Sequence, residues 1–321
     1  MALIRYIPVE PRIPFLASRV WTLALGALLV AVSLVSVALQ GLNLGVDFRG
    51  GILIEIRTHE PADLEDLRSR LGGLGLGPVT LQQFGQANDV LINLQRQPGE
   101  ESEQMAAVNA VRAELGDEVA EYRRTEFVGP RVGEELRRAG LMATVLSLLG
   151  IGLYIAFRFE WNFAIAATLA LVHDIIATVG FFSLTQIEFN LTTLAAVLTI
   201  AGYSINDTVV VFDRVREMMR KYKRKSVPDM LNQALNATLS RTILTSATTL
   251  VALVALYLFG GEVIRGFTAG MIWGIVLGTF STIGMAVPLL YYLGVKRPGV
   301  SSEEEAVEGP SGRTASSSRG S

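Results

Sequence analysis

The 321-residue chain contains no cysteine, which excludes disulfides, thiolate nucleophiles and cysteine-ligated zinc. Its histidines are His59 and His173 alone, too few for a multi-histidine centre, so no metal site is expected. An excess of either charge is missing as well. With 28 Lys and Arg against 30 Asp and Glu, the formal net charge is −2, and no global field favours nucleic acid as a partner. No serine–histidine nucleophile arrangement is visible, and the Gly-x-Gly-Asp context of an intramembrane aspartyl protease is absent. The chain therefore does not read as an enzyme. The first apolar run, Val20–Leu39, is too long for a cleavable signal peptide and lacks an A-x-A-like site after it.

What is present is hydrophobicity in blocks. Half of the residues are hydrophobic (50%), with a mean hydropathy of +0.41. A bilayer core about 30 Å thick takes roughly 20 apolar residues of helix. Six stretches qualify: Val20–Leu39, Ala139–Phe157, Phe163–Leu184, Leu191–Phe212, Ile243–Phe259 and Phe267–Leu293. The last is expected to tilt or break near Pro288. Between the fourth and fifth lie Arg214, Arg216, Arg220, Lys221, Lys223, Arg224 and Lys225, which marks that loop as cytoplasmic. The loop from Thr185 to Asn190 has no basic residue, as expected for the opposite face. An even number of spans then puts both termini inside, consistent with Arg5, Arg12 and Arg19 before the first span and Lys296 and Arg297 after the last.

Between the first two spans, the pattern predicts strands over Gly51–Arg57, Val79–Phe84, Val90–Gln95 and Val119–Phe127, with helices over Pro61–Leu71 and Glu101–Leu115. Turn signals separate them at Gly72–Pro78, Ala87-Asn88-Asp89 and Pro98-Gly99. The order β-α-β-β-α-β is that of a ferredoxin-like α+β domain. The expected organisation is a cytoplasmic N-terminus (1–19), a first transmembrane helix (20–39) and an extracytoplasmic α+β domain (40–138). Five further helices follow (139–297), with a basic cytoplasmic loop over 213–241, and then a disordered cytoplasmic tail (298–321).

Ionisable groups inside a span cost about 2.5–3.5 kcal/mol each, so each needs a reason. Asp174, beside His173, falls near the middle of the third span. Asp207 lies in the fourth, with Ser204 and Asn206 close by in sequence. Asp213, at the membrane edge, is expected to pair with Arg214 or cap the loop. The fifth span opens with Arg241, followed at helical spacing by Thr245, Thr248 and Thr249. Asp207 and Arg241 enter the bilayer from the same side, so they can pair. A carboxylate whose partner distance depends on conformation is the minimum for a proton relay; the alternative is a static pair that fixes helix register.

Gly266, Gly270, Gly274 and Gly278 recur every fourth residue in the sixth span. They form a ridge for close helix packing, within the chain in preference to between copies. Gly45–Gly51 reads GVDFRGG. Gly50 and Gly51 there open backbone conformations closed to other residues, and Asp47 is expected to cap or to pair with Arg49. A phosphate loop is excluded, because no Gly-Lys-Ser/Thr and no helix follow.

GVDFRGG, VGPRVGEEL (Val128–Leu136) and GYSINDTVVVFDRVRE (Gly202–Glu217) closely resemble the SecF family, as do SRTILTSATTLVAL (Ser240–Leu253) and the ridge from Gly266. The resemblance covers the whole chain except the tail. It implies half of an RND-type transporter in the bacterial cytoplasmic membrane, pairing with SecD, which supplies the other six spans. It implies association with the SecYEG channel, with SecA acting from the cytoplasm, with YajC and YidC as further partners, and with membrane lipids around the spans. The implied activity is use of the proton-motive force to promote preprotein translocation, with protons as coupling ion and no cofactor. In the family, the carboxylate at the position of Asp207 and the arginine at that of Arg241 are implicated in proton passage, and His173-Asp174 fits the family's His-Asp pattern.

Overall fold

The computed structural model describes residues 12–77, 79–83, 86–99, 101–222 and 225–294. Arg5, Pro78, Phe84, Lys223, Arg224, Lys296, Arg297 and the tail expected over 298–321 lie outside the described residues.

Among the described residues, six helical segments are long and apolar enough to cross a membrane. They are α1 (Arg19–Leu39), α5 (Pro130–Arg158), α6 (Trp161–Thr185), α7 (Leu191–Lys221), α8 (Val227–Phe259) and a final segment of α9 (Glu262–Ser281) continued by α10 (Val287–Leu293). Burial grades them. α6 and the final segment have 61% of their most apolar stretch buried and α7 44%, against 17% for α1 and α8 and 6% for α5. α6, α7 and the final segment are the centre of the bundle, and α1, α5 and α8 form its rim. Rim helices end on exposed apolar groups such as Trp21, Phe157 and Phe259, which water would not tolerate in such numbers and a membrane does.

Three helices run past their expected limits. α5 starts at Pro130, where a missing N–H costs a first turn nothing. The expected basic loop over 213–241 is mostly helix: α7 continues to Lys221 and α8 begins at Val227. Val215, Met218 and Met219 share one buried cluster with Met230, Leu231, Ala234 and Leu235. That apolar stripe keeps both helices wound beyond the apolar runs. Ser226 caps α8 by accepting from the Asp229 N–H. Leu16 N–H and Ile13 N–H donate to the Asn232 and Asn236 side chains, tying the start of the chain to α8.

The last span does not break at Pro288. Instead, a π-helical turn over Thr282–Ala286 joins α9 to α10. Proline has no N–H for the preceding turn and its ring crowds that turn's carbonyl, and the wider turn accommodates both.

The segment between α1 and α5 begins with the single turn α2 (Val46–Arg49). The elements β1 (Gly51–Thr58), α3 (Leu64–Gly72), β2 (Val79–Gln83), β3 (Asp89–Gln95), α4 (Glu101–Leu115) and β4 (Val119–Val128) follow. The sheet order is β2-β3-β1-β4, and every neighbouring pair is antiparallel. Alternate residues Ile52, Ile54 and Ile56 of β1 and Val90, Ile92 and Leu94 of β3 point to one face. There they meet Leu67 and Leu71 of α3 and Val108, Val111 and Leu115 of α4. The domain is sewn to the bundle by backbone bonds, Gly45 N–H to the Phe189 carbonyl (3.0 Å) and Phe189 N–H to the Asn43 carbonyl (2.7 Å).

Candidate functional site

The Asp174 carboxylate is fully enclosed in the bundle, 0% exposed. It sits on α6, whose neighbouring faces carry alanine and glycine, so other helices approach closely. One oxygen meets His173 Nδ1 at 2.9 Å. The other accepts from Ser204 of α7 at 2.5 Å and from Ser281 of α9 at 2.6 Å. Asp174 thus joins three helices through charge-assisted bonds, the stronger kind in a dry interior. His173 Nε2 is buried with no hydrogen-bond partner among the described residues.

The next layer is made of hydroxyls. Thr208 and Thr282 meet at 3.0 Å between α7 and the π turn. Ser246 and Thr279 meet at 2.8 Å between α8 and α9, and the Tyr203 hydroxyl donates to Thr249 at 3.2 Å. Ser281 and Thr282 are consecutive and both fully buried. One serves α6 and the other α7, because successive residues on a helix point about 100° apart.

Asp207 is a contrast. It is 4% exposed but makes no hydrogen bond and no ion pair within 4.0 Å among the described residues. The expected Asp207–Arg241 pair is not formed: Arg241 is exposed and acts on Asp207 only through space. The two belong to different faces of the α7–α8 hairpin, a matter of helix rotation that sequence spacing does not fix. Asn206 is exposed and turned away from Asp207, whereas Ser204 faces Asp174. Thr245, Thr248 and Thr249 each donate back to a carbonyl of their own helix, so the stripe beside Arg241 satisfies itself locally. Asp213 pairs with Arg158 of α5 at 2.8 Å, not with Arg214, which pairs with Glu217.

The glycine ridge lies against α7. A methyl group added at Gly266, Gly270, Gly274 or Gly278 would meet, in turn, Thr193, Phe182 with Ala196, Ile200, and Ser204. The close approach at Gly278 is what brings Ser281, one turn later, to the same carboxylate as Ser204. At the start of α7, Asn190 and Thr193 form a reciprocal capping box, and Asp47 accepts from the Leu191 N–H at 2.9 Å instead of pairing with Arg49. Gly50 has φ +73° and Gly51 φ +156°, and a side chain on Gly51 would strike the Leu94 carbonyl at 2.6 Å. Ser281 and Thr282 escaped sequence reasoning because hydroxyls are common in spans. Their one signal was position, a single turn beyond Gly278.

The comparisons with known proteins follow from this architecture. Residues 107–296 match the family described as protein export membrane protein SecD/SecF, C-terminal, and residues 35–62 match the SecD/SecF GG motif. The protein translocase subunit SecF of Desulfurispirillum indicum is 44% identical over 287 residues, covering 87% of this chain and 91% of that one. The chain belongs to the SecF family. The SecF of Rickettsia felis is likewise 44% identical over 292 residues, with 89% and 94% covered. The crystal structure of SecDF from Thermus thermophilus, a translocon-associated membrane protein, superposes with a TM-score of 0.79 at 36% identity. SecDF in its super-membrane-facing form superposes at 0.66 with the same identity. Each match covers 88% of this chain but 39% of the SecDF chain, so the chain spans about two fifths of those structures. As a SecF-family protein translocase subunit it is a membrane protein of protein transport.

Proposed function

We propose that this SecF-family chain pairs with SecD and uses proton movement to promote preprotein translocation. In this reading Asp207 exchanges the proton, Arg241 is its conditional counter-charge, and Asp174 is the hub about which the helices are held. The observation that carries it is the contrast between two buried carboxylates: Asp174 has three side-chain partners and Asp207 has none within hydrogen-bonding distance among the described residues. An ionised carboxylate buried without a partner costs several kcal/mol. A proton on Asp207, or an approach of Arg241, removes that cost, so protonation and helix position are linked. One proton moved through 100 mV supplies about 2.3 kcal/mol, a roughly fiftyfold bias on a two-state motion. The different agreement with the two SecDF forms, 0.79 and 0.66, supports a fold that takes more than one arrangement.

The same reading extends to SecYEG with SecA as the machinery served. It assigns the end of α7, with Arg214, Arg216, Arg220 and Lys221, to the cytoplasm together with both termini, and the α+β domain to the outside. The domain reads as ferredoxin-like, supported by the order β-α-β-β-α-β and the sheet order β2-β3-β1-β4. The only coupling species required is the proton.

The test uses vesicles carrying the complete translocase. Asp207→Asn is expected to leave the amount of assembled complex unchanged and to abolish stimulation of export by an imposed proton gradient. Full stimulation with that variant sinks the proposal. A second reading, a proton-inert structural subunit, draws on the Asp174 hub, whose saturated bonding is that of a static helix fastener. It predicts that Asp207→Asn and Arg241→Ala lower export only in proportion to lost complex.

A further inference from the structure

Where the α+β domain meets the bundle there is a cleft of about 550 Å³. Its floor includes Phe48, which belongs to the apolar cluster of Leu171, Phe182 and Phe189. Its walls carry Arg49, Arg96, Arg137 and Glu188, with Asn93 on the sheet side. The level of this cleft is fixed by the helices around it. Arg49 follows α1, which ends at Leu39; Arg137 immediately precedes the apolar run of α5; Glu188 lies between the end of α6 at Thr185 and the start of α7 at Leu191. The cleft therefore opens at the polar boundary of the bilayer, beside rim helix α5.

The charges there are unbalanced. Elsewhere in the small domain Arg57, Arg70, Arg123 and Arg124 pair with carboxylates, while Arg112 stacks over the Tyr122 ring and Arg68 makes no ion pair among the described residues. Arg49 and Arg137 make no ion pair or hydrogen bond among the described residues, and Arg96 reaches only the Gly99 carbonyl. The one acid in the wall is Glu188. Burial, with the nearby Asp47 adding to it, pushes its carboxyl above the ordinary range against the opposing effects of Asn190 and Arg49, and one carboxyl faces three guanidinium groups. Asn93 adds an amide oxygen that is buried without a donor.

We infer that this cleft binds the phosphodiester headgroup of an anionic, hydroxyl-bearing phospholipid such as phosphatidylglycerol, with Arg49 and Arg137 as its phosphate ligands. A guanidinium holds two phosphate oxygens at once. A glycerol hydroxyl meets the unfilled polar demand of the wall, and the acyl chains run down the exposed apolar face of α5, where Leu141, Val145 and Leu149 lie. Two guanidinium groups at the level of the bilayer phosphates match the charge and geometry of such a headgroup. A lipid held there would pin the domain to the membrane surface at the joint made by Gly45 and Phe189.

Two measurements on the full-length chain test this. In native mass spectrometry, phosphatidylglycerol is retained in preference to phosphatidylcholine. Each arginine near an anionic surface is worth roughly a factor of five, so Arg49→Gln with Arg137→Gln lowers phosphatidylglycerol affinity roughly thirtyfold, while Glu188→Gln preserves or strengthens it. The second measurement needs no variant. In vesicles of the wild-type chain, phosphatidylglycerol protects Arg49 and Arg137 from modification by phenylglyoxal and phosphatidylcholine does not. Unchanged lipid preference in the double variant overturns the proposal. So does protection by inorganic phosphate alone, which makes the cleft a free-anion site, or by an unfolded polypeptide alone, which makes it a peptide groove.

Discussion

Replacing Gly274 by alanine puts a methyl group 2.3, 2.4 and 2.7 Å from three carbons of the same side chain, Ile200. Ile200 is 1% exposed and sits on α7. A β-branched side chain in a helix has one comfortable χ1 rotamer, so it cannot swing clear, and the α7–α9 spacing must open instead. Overpacking of this kind costs about 1–3 kcal/mol, and alanine in place of glycine returns up to about 1 kcal/mol of helix propensity. The net expectation is a loss of about 1–2 kcal/mol. Ile200→Ala alone leaves a hole and costs about 2–5 kcal/mol. Combined, the two changes partly fill each other's defect, and the double variant is more stable than the sum of the singles predicts. Equilibrium unfolding in bicelles reads this through Trp273, which neighbours Gly274 and stacks on Phe181 with centroids 5.3 Å apart. Gly202→Ala is the control, since an added methyl there meets nothing within 4 Å; it is expected to be neutral or slightly stabilising. Additive behaviour in the double variant, or equal damage from Gly202→Ala, refutes the packing argument.

The Asp174 hub makes a prediction of its own. Ser204→Ala and Ser281→Ala each remove one charge-assisted bond, worth about 1.5–3 kcal/mol, and the pair together destabilises by more than the sum, because only His173 then faces the carboxylate; a thermal double-mutant cycle checks it. Asp47→Ala removes the acceptor of the Leu191 N–H while the Asn190–Thr193 capping box stays, at a cost of about 0.5–1.5 kcal/mol, read as faster hydrogen exchange at Leu191. For the α+β domain, the Arg57 fork at 2.7 and 2.9 Å is the main cause that holds the Asp89 carboxyl below its ordinary range, with help from the Arg123 and Arg57 charges and against burial. A folded value below the unfolded one, near about 3.9, means this stabilisation is complete above that pH and fades as pH falls through the folded value. Hydrogen exchange in β1 and β3 should accelerate there, and Arg57→Gln should remove most of that pH dependence.

Much of the fold was legible in local pattern. The α4 range was read from the sequence as Glu101–Leu115, and β1 and β3 within one residue at an end, because alternation and turn residues act over a few positions. Helix ends were less legible. α7 and α8 outrun their apolar runs because each supplies the other's buried face beyond them. At the site, the sequence singles out Asp174, Ser204 and the glycine ridge as residues. It does not single out their partners: Asp47 and Leu191 are 144 positions apart, Ser281 and Asp174 are 107 apart, and no local spacing encodes such a meeting.

By itself, then, the sequence determined that this chain lives in a membrane, how many times it can cross, and which few polar groups inside the spans demanded an explanation. Those follow from solvation, which each segment feels on its own. Only the tertiary structure decided which carboxylate is saturated and which is bare. Asp174 and Asp207 look alike in sequence, yet Asp174 meets His173, Ser204 and Ser281 while Asp207 meets no such partner among the described residues. That choice belongs to the packing of α6, α7 and α9 through glycine, alanine and a π turn, and it exists only when all three are in place.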